Sequence, residues 1–158
     1  METVRALALS VLEKQLGAEQ YSNIALDTAI KRHPLSDADR GLLTALVYGV
    51  IERKLTLEHI LKSLSDRPLE ELDGHTRLLL LLGLYQLQYL DRVPDHAAVN
   101  ETVALAPRRT RGFVNAILRE HLRRGKRITL PEGFLSDRTL LHFGAVDQTC
   151  RVLWNGQQ

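Results

Sequence analysis

Residues 76–90, TRLLLLLGLYQLQYL, are apolar on nearly every side of a helix. A surface helix carries one apolar stripe, whereas a helix that is apolar all round has to be enclosed by other elements. This stretch therefore predicts a central helix with neighbours packed around it. Gly83 sharpens the expectation, because a glycine inside an exposed helix costs about 1 kcal/mol relative to alanine. Its place here predicts that another helix passes close by. The longest apolar run, residues 78–84, is far short of the roughly 20 residues that span a membrane, so no membrane partner is expected.

The rest of the chain supplies helices. Leucine dominates while β-branched and aromatic residues are sparse, which favours helix over strand, and neither a strand pattern nor an internal repeat is visible. Val4, Leu7, Ala8, Val11 and Leu12 make the stripe of a first helix over residues 3–16, stopped by Gly17, with Arg5 at the edge of its polar side. Ser22 is the expected cap of a second helix over 23–32 with Ile24, Ala25, Ala29 and Ile30 inward, ended by His33 and Pro34. Ser36 caps a third, with Asp37 and Asp39 in its first turn. Its stripe, Leu42 to Ile51, is followed by a second run from Leu55 to Leu64, read either as one long bent helix or, preferably, as a third and a fourth helix with a break near residue 54. One short turn is expected at 69–72. A sixth helix runs from Pro94, at its first helical position, to Leu105, and a seventh over 108–124 stops at Gly125. The expectation is an all-α, compact bundle of about seven helices over residues 1–127. Residues 128–158 are expected to form a short helical C-terminal extension, whose Leu140, Leu141, Phe143, Val152, Leu153 and Trp154 need a surface to dock on.

A net charge of +2 hides an asymmetry. Residues 1–107 are net −4, residues 128–158 net −1, and residues 108–127 hold eight basic side chains and one acid, Glu120, for a local net of +7. The basic set is Arg108, Arg109, Arg111, Arg119, Arg123, Arg124, Lys126 and Arg127, interleaved with a helical stripe of Phe113, Val114, Ile117, Leu118 and Leu122. One helix thus offers an apolar face to a core and a cationic face to a partner. The guanidinium fork suits phosphate and stacks on bases, and a localised basic segment on an acidic body points to a polyanion such as RNA. The bland reading is a solvated face partly paired with acids on other helices. Arg119 and Arg123, four apart, share a side; Arg5 could join them only through the fold.

Other chemistries find little support. Asp95, His96, Asn100 and Glu101 invite a metal or acid/base reading, but a His and an Asn four apart are no ligand pair of the H-E-x-x-H kind. Asn100 and Glu101 read instead as groups that hold loops or cap helices through backbone hydrogen bonds, and Asn115 as a buried clamp at a helix junction. Asp39 serves a helix start, with Arg40 paired in the fold or extending a basic surface. The lone Cys150 excludes an internal disulfide, fits a reducing cytoplasmic setting and has one arginine beside it, so it reads as inert. No glycine-rich dinucleotide or phosphate loop occurs. No catalytic residue, metal ligand or cofactor-binding residue is expected in this chain.

VPDHAAVNETV followed by FVNAILR, with DADRGLLTALVYGVIERKLTLEHIL and GLYQLQYL upstream, resembles the NusB-like helical domain at the N-terminus of bacterial rRNA cytosine-5 methyltransferases. The resemblance covers about three-quarters of the chain, and its motifs are specific in combination. It implies a NusB-like RNA-binding bundle that helps present 16S rRNA to a catalytic domain. Arg119 after the leucine fits this branch; in the free-standing transcription antitermination factors of the same superfamily that position is typically an acid. Those factors, which pair with a ribosomal protein, also carry several arginines near the first helix, where only Arg5 stands here. The segment PEGFLSDRTLLHFGAVDQTCRVLWNGQQ is similar to the connector that leads into the catalytic part. The resemblance places S-adenosylmethionine and the reacting cysteines in that part, outside these residues. A free-standing antitermination factor, and a docking module whose arginines only solubilise it, remain the competing readings.

Overall fold

The structure is a computed structural model that describes residues 3–17 and 24–128. The expected cap at Ser22, the helix start at Asn23, the extension from residue 129 and Cys150 lie outside the described residues. Among the described residues there is no strand; seven α-helices and one 3-10 turn follow in order. They are α1 (Val4–Gly17), α2 (Ile24–Arg32), α3 (Asp37–Glu52), α4 (Lys54–Leu64), a 3-10 turn (Leu69–Glu71), α5 (Gly74–Tyr89), α6 (Asp95–Ala104) and α7 (Arg108–Arg123).

The all-apolar segment is the hub. Every residue of α5 from Leu78 to Leu87 is buried, and α1, α3, α4, α6 and α7 all pack against it. Asp73 starts it, accepting hydrogen bonds from the Thr76 backbone N–H at 2.7 Å and the Thr76 hydroxyl at 3.0 Å. Those bonds, the backbone one first, hold the Asp73 carboxyl below its usual range. Gly83 is the point of closest approach. A Cβ there would lie 2.8 Å from Leu118 of α7 and 3.1 Å from Thr102 of α6, so the glycine lets two helices seat on the hub at once.

Ser36 caps α3 as expected, its hydroxyl accepting from the Asp39 N–H at 3.1 Å. The α3–α4 break falls at Arg53, whose backbone leaves helical geometry at φ −114° and ψ 21°. Two details differ from the sequence reading. Ile24 is 73% exposed, because α2 turns Leu26 and Ala29 inward, and two residues before Leu26 lies roughly 200° around the helix. Pro94 is the N-cap of α6, with extended ψ of 144°, and Asp95 is the first helical residue. The ring costs nothing there either, since the capping residue contributes its carbonyl, which accepts from the Ala98 N–H at 3.0 Å.

Direction follows from contacts at the helix ends. Arg109 of α7 approaches Asp73 at the start of α5, and His121 of α7 meets Gln88 near the end of α5, so α5 and α7 run parallel. Asp95 at the start of α6 pairs with Lys126 just past α7, so α6 runs antiparallel to both. Among the described residues no helix is long and apolar enough to cross a membrane.

Candidate nucleic-acid interface

The α7 helix begins with a charge arrangement that folding alone does not favour. Its first turn has no acid, while Arg108, Arg109 and Arg111 crowd the positive end of the macrodipole. Each such cation forgoes or opposes roughly 0.3–1 kcal/mol at an exposed helix start. The inward side is conventional: Val114, Ile117, Leu118 and His121 are buried. At 100° per residue, Arg108, Arg119 and Arg123 fall within about 60° of one another on the opposite side, and all three are exposed. Gly112 and Ala116, also exposed, lie between them.

The cations differ in how far the fold has already engaged them. Arg123 and Arg124 both close on Glu120, through Arg123 Nε at 2.7 Å and Nη2 at 2.5 Å and Arg124 Nε at 2.8 Å. These bonds pull the Glu120 carboxyl down to about 2 and push the Arg123 guanidinium up. Arg124 also donates to the Ser63 carbonyl of α4 at 3.2 Å. Arg111 spends two donors on the Ala106 carbonyl, at 3.3 and 3.1 Å. Arg109 stands 3.9 Å from the Asp73 carboxylate. Arg119 donates to Asn115 Oδ1 at 3.0 Å, an uncharged partner. Arg108 and Arg127 are exposed, with no ion-pair partner among the described residues.

Lys126 belongs to the helix terminus. The Gly125 N–H bonds the Leu122 carbonyl and the Lys126 N–H bonds the His121 carbonyl, both at 2.9 Å, the paired closure of a Schellman motif. Gly125 takes φ +73° and Lys126 φ +60°. For lysine that backbone costs on the order of 1 kcal/mol, opposed by its 2.8 Å ion pair with Asp95. Below it, the buried His121 ring donates from Nε2 to Gln88 Oε1 at 2.8 Å. Burial first, then Lys126 and Arg124, push the His121 pKa down, so the ring is neutral at pH 7.

Arg5 is engaged elsewhere. Its Nε donates to Gln86 Oε1 at 2.7 Å, and Gln86 passes the link on to Thr102 Oγ1 at 3.0 Å and to the Leu82 carbonyl at 3.1 Å. This chain of polar groups ties α1 through the hub to α6. Burial pushes the half-buried Arg5 guanidinium down, and Glu101 pushes it back up. No arginine of α7 is among its partners.

The asparagine readings need correcting. Asn115 is half-exposed and holds Arg119; it is no buried clamp. Asn100 and Glu101 are exposed on the side of α6 away from Ala98, Val99 and Thr102, and neither hydrogen-bonds backbone among the described residues. Arg40, exposed, pairs with Asp37 at 3.9 Å. No group of three or more His, Cys, Asp or Glu side chains able to hold a metal stands among the described residues.

One residue beside the cluster escaped the sequence reading. Arg67, in the turn after α4, lies over the Phe113 ring of α7 with 4.9 Å from Cζ to the ring centroid. The sequence marks Arg67-Pro68 only as a turn, and nothing in the local pattern sets it against a helix that begins 41 residues later.

Comparison with known proteins places this architecture. The NusB family profile matches residues 2–123. The chain is 40% identical over 127 residues to the probable ribosomal RNA small subunit methyltransferase B of Synechocystis sp., covering 80% of this chain and 28% of that protein. It is 41% identical over 127 residues to the corresponding Bacillus subtilis protein, covering 78% and 28%. The ribosomal RNA small subunit methyltransferase B of Thermus thermophilus is 42% identical over 121 residues, covering 74% and 29%. The chain thus spans less than a third of the length of the relatives it matches. With a seven-helix bundle around one buried helix and a family match over nearly all the described residues, this chain belongs to the NusB family.

Proposed function

We propose that this chain is the RNA-binding, substrate-presenting N-terminal domain of an rRNA (cytosine-5) methyltransferase, and that it takes 16S rRNA through the arginine face of α7. The observation that carries the reading is the outward stripe of Arg108, Arg119 and Arg123 on a helix whose opposite side is core. The names of the relatives supply the RNA class. In this reading residues 1–127 bind RNA and residues 128–158 connect to a catalytic part that holds S-adenosylmethionine. The chain's own contribution is affinity and orientation. Arginines that neutralise phosphates release counterions, so binding weakens steeply with salt, while phosphate contacts fix register without reading sequence.

The cations contribute unequally. Arg108, Arg119 and Arg127, which lack a carboxylate partner among the described residues, meet phosphate directly. Arg109, Arg123, Arg124 and Lys126 first have to leave a carboxylate, Arg111 is tied to backbone, and Arg5 supports α1. The test is a filter or anisotropy titration of a 16S rRNA fragment across a salt series. Arg108→Ala with Arg119→Ala lowers affinity and flattens the logarithmic salt slope by about 1.4 to 1.8, the loss of two phosphate contacts. An unchanged slope would remove α7 as the RNA surface.

The family match also supports a second reading, a free-standing transcription antitermination factor acting with a ribosomal protein. Retention of a ribosomal protein, without retention of 16S rRNA, would favour it.

A further inference from the structure

The turn between α4 and the 3-10 turn is built to hold one side chain still. Ser65 Oγ accepts from the Arg67 backbone N–H at 3.1 Å and donates to the Arg67 carbonyl at 2.9 Å. Pro68 follows with φ fixed at −57°, and Arg77 of α5 clamps the next residue, donating from Nη2 to the Leu69 carbonyl at 2.6 Å. From this pinned backbone the Arg67 guanidinium reaches the half-buried Phe113 ring. Arg67 is exposed and has no carboxylate partner among the described residues. The exposed guanidinium is therefore left accessible to a second planar group.

Phe113 sits one turn after Arg109 on α7, and Arg124 is on the same flank of that helix. The platform is thus bordered by Arg109, one turn away and near Asp73, while Arg124 lies about three turns further along the same flank, against Ser63 near the end of α4. A guanidinium plane backed by an aromatic ring and flanked by positive charge is suited to a nucleobase whose phosphates run along the cations. A duplex keeps its base faces stacked inside; an unpaired strand presents them.

We propose that Arg67, laid on Phe113, is a base-stacking subsite that makes the α7 surface select unpaired RNA over duplex. The proposal rests on the RNA-binding reading above and adds to it a specificity-determining residue from outside the basic segment. The stack takes one base. Arg67 carries the plane, Phe113 orients it, and the α7 arginines hold the backbone on either side.

The test uses the full 158-residue chain and a mixed-sequence RNA dodecamer, single-stranded or annealed to its complement, with 2-aminopurine placed at successive positions. Arg67→Lys keeps the charge and removes the plane. It is expected to weaken single-strand binding about tenfold, within the range for losing one stacked base, to leave the salt slope and duplex binding unchanged, and to abolish the 2-aminopurine fluorescence change at one position. Phe113→Leu, which keeps apolar contact with the core, gives the same selective loss, and thermal unfolding confirms that it folds. If the wild type binds both RNAs and Arg67→Lys changes neither, or weakens both equally, the subsite is overturned while the RNA reading stands. If the wild type binds neither, that reading falls and the subsite with it.

Discussion

At the scale of single residues, charge here is shaped by its partners more than by its count. Glu120 is the one acid in the basic segment, and it engages two of the arginines offered to a partner. Its carboxyl, held at about 2 by the Arg123 and Arg124 hydrogen bonds, stays ionised across any pH at which RNA binding is measured, so on the RNA-binding reading it competes with phosphate continuously. The sign of its stability linkage is that of a depressed acid: the contribution is whole above 4.5, its ordinary value, and is lost as pH falls from there towards 2. Because the pairs are exposed and of the i,i+3 and i,i+4 kind, each contributes little. Glu120→Gln is therefore expected to fold normally and to bind the 16S rRNA fragment about two- to fivefold more tightly. Its salt slope should be steeper, because two guanidinium groups meet phosphate without first leaving a carboxylate. Affinity equal to or below wild type would show that Arg123 and Arg124 do not face the RNA.

At the scale of elements, the end of α7 is where helix geometry, packing and charge meet. His121 is 1% exposed, and the groups facing it are Gln88 from α5 and Lys126 and Arg124 beyond its own turn. Two of these are cations, so protonating the ring adds a third positive charge beneath the arginines. The folded pKa is lowered from 6.5; the unfolded chain therefore binds the extra proton, and stability falls as pH drops below about 6.5 towards the lower folded value. The midpoint of thermal unfolding should decline between pH 7 and 5, and His121→Gln, which keeps a donor to Gln88, should flatten that decline. A decline of the same size in both would locate the titration elsewhere. How much of this was legible in the sequence depends on range. The periodicity of α3 and α4, the cap at Ser36, the stop at Gly125 and the enclosure of residues 76–90 are local signals, and each holds. The contact of Arg67 with Phe113, the hold of Gln86 on Arg5 and the half-exposure of Asn115 are set by which helices become neighbours. A periodic pattern tells a residue which side is inward; it does not say what lies across the interface.

At the scale of the molecule, the chain is electrically lopsided. Residues 1–107 are net −4 and residues 108–127 net +7, and the fold keeps the second set on one helix and its C-terminal turn. The hub fixes where that charge is shown: α5 holds five helices around it, and α7 seats its apolar side inward with Arg108, Arg119 and Arg123 outward. A body of one sign with a surface of the other orients as it approaches a polyanion, and such steering acts on encounter more than on the lifetime of the complex. On the RNA-binding reading, association measured by stopped-flow mixing should slow steeply as ionic strength rises, as the screening length shrinks from about 30 Å at 0.01 M to about 10 Å at 0.1 M. Arg108→Ala and Arg127→Ala, which remove exposed charge without disturbing packing, should lower the association rate at low salt and lose that effect at high salt. Lys14→Ala, a cation at the end of α1 on the acidic body, should change it little. Arg67→Lys preserves charge and should leave association intact while speeding dissociation of single strands. If all four variants associated alike at low salt, the arginine helix would have no steering role.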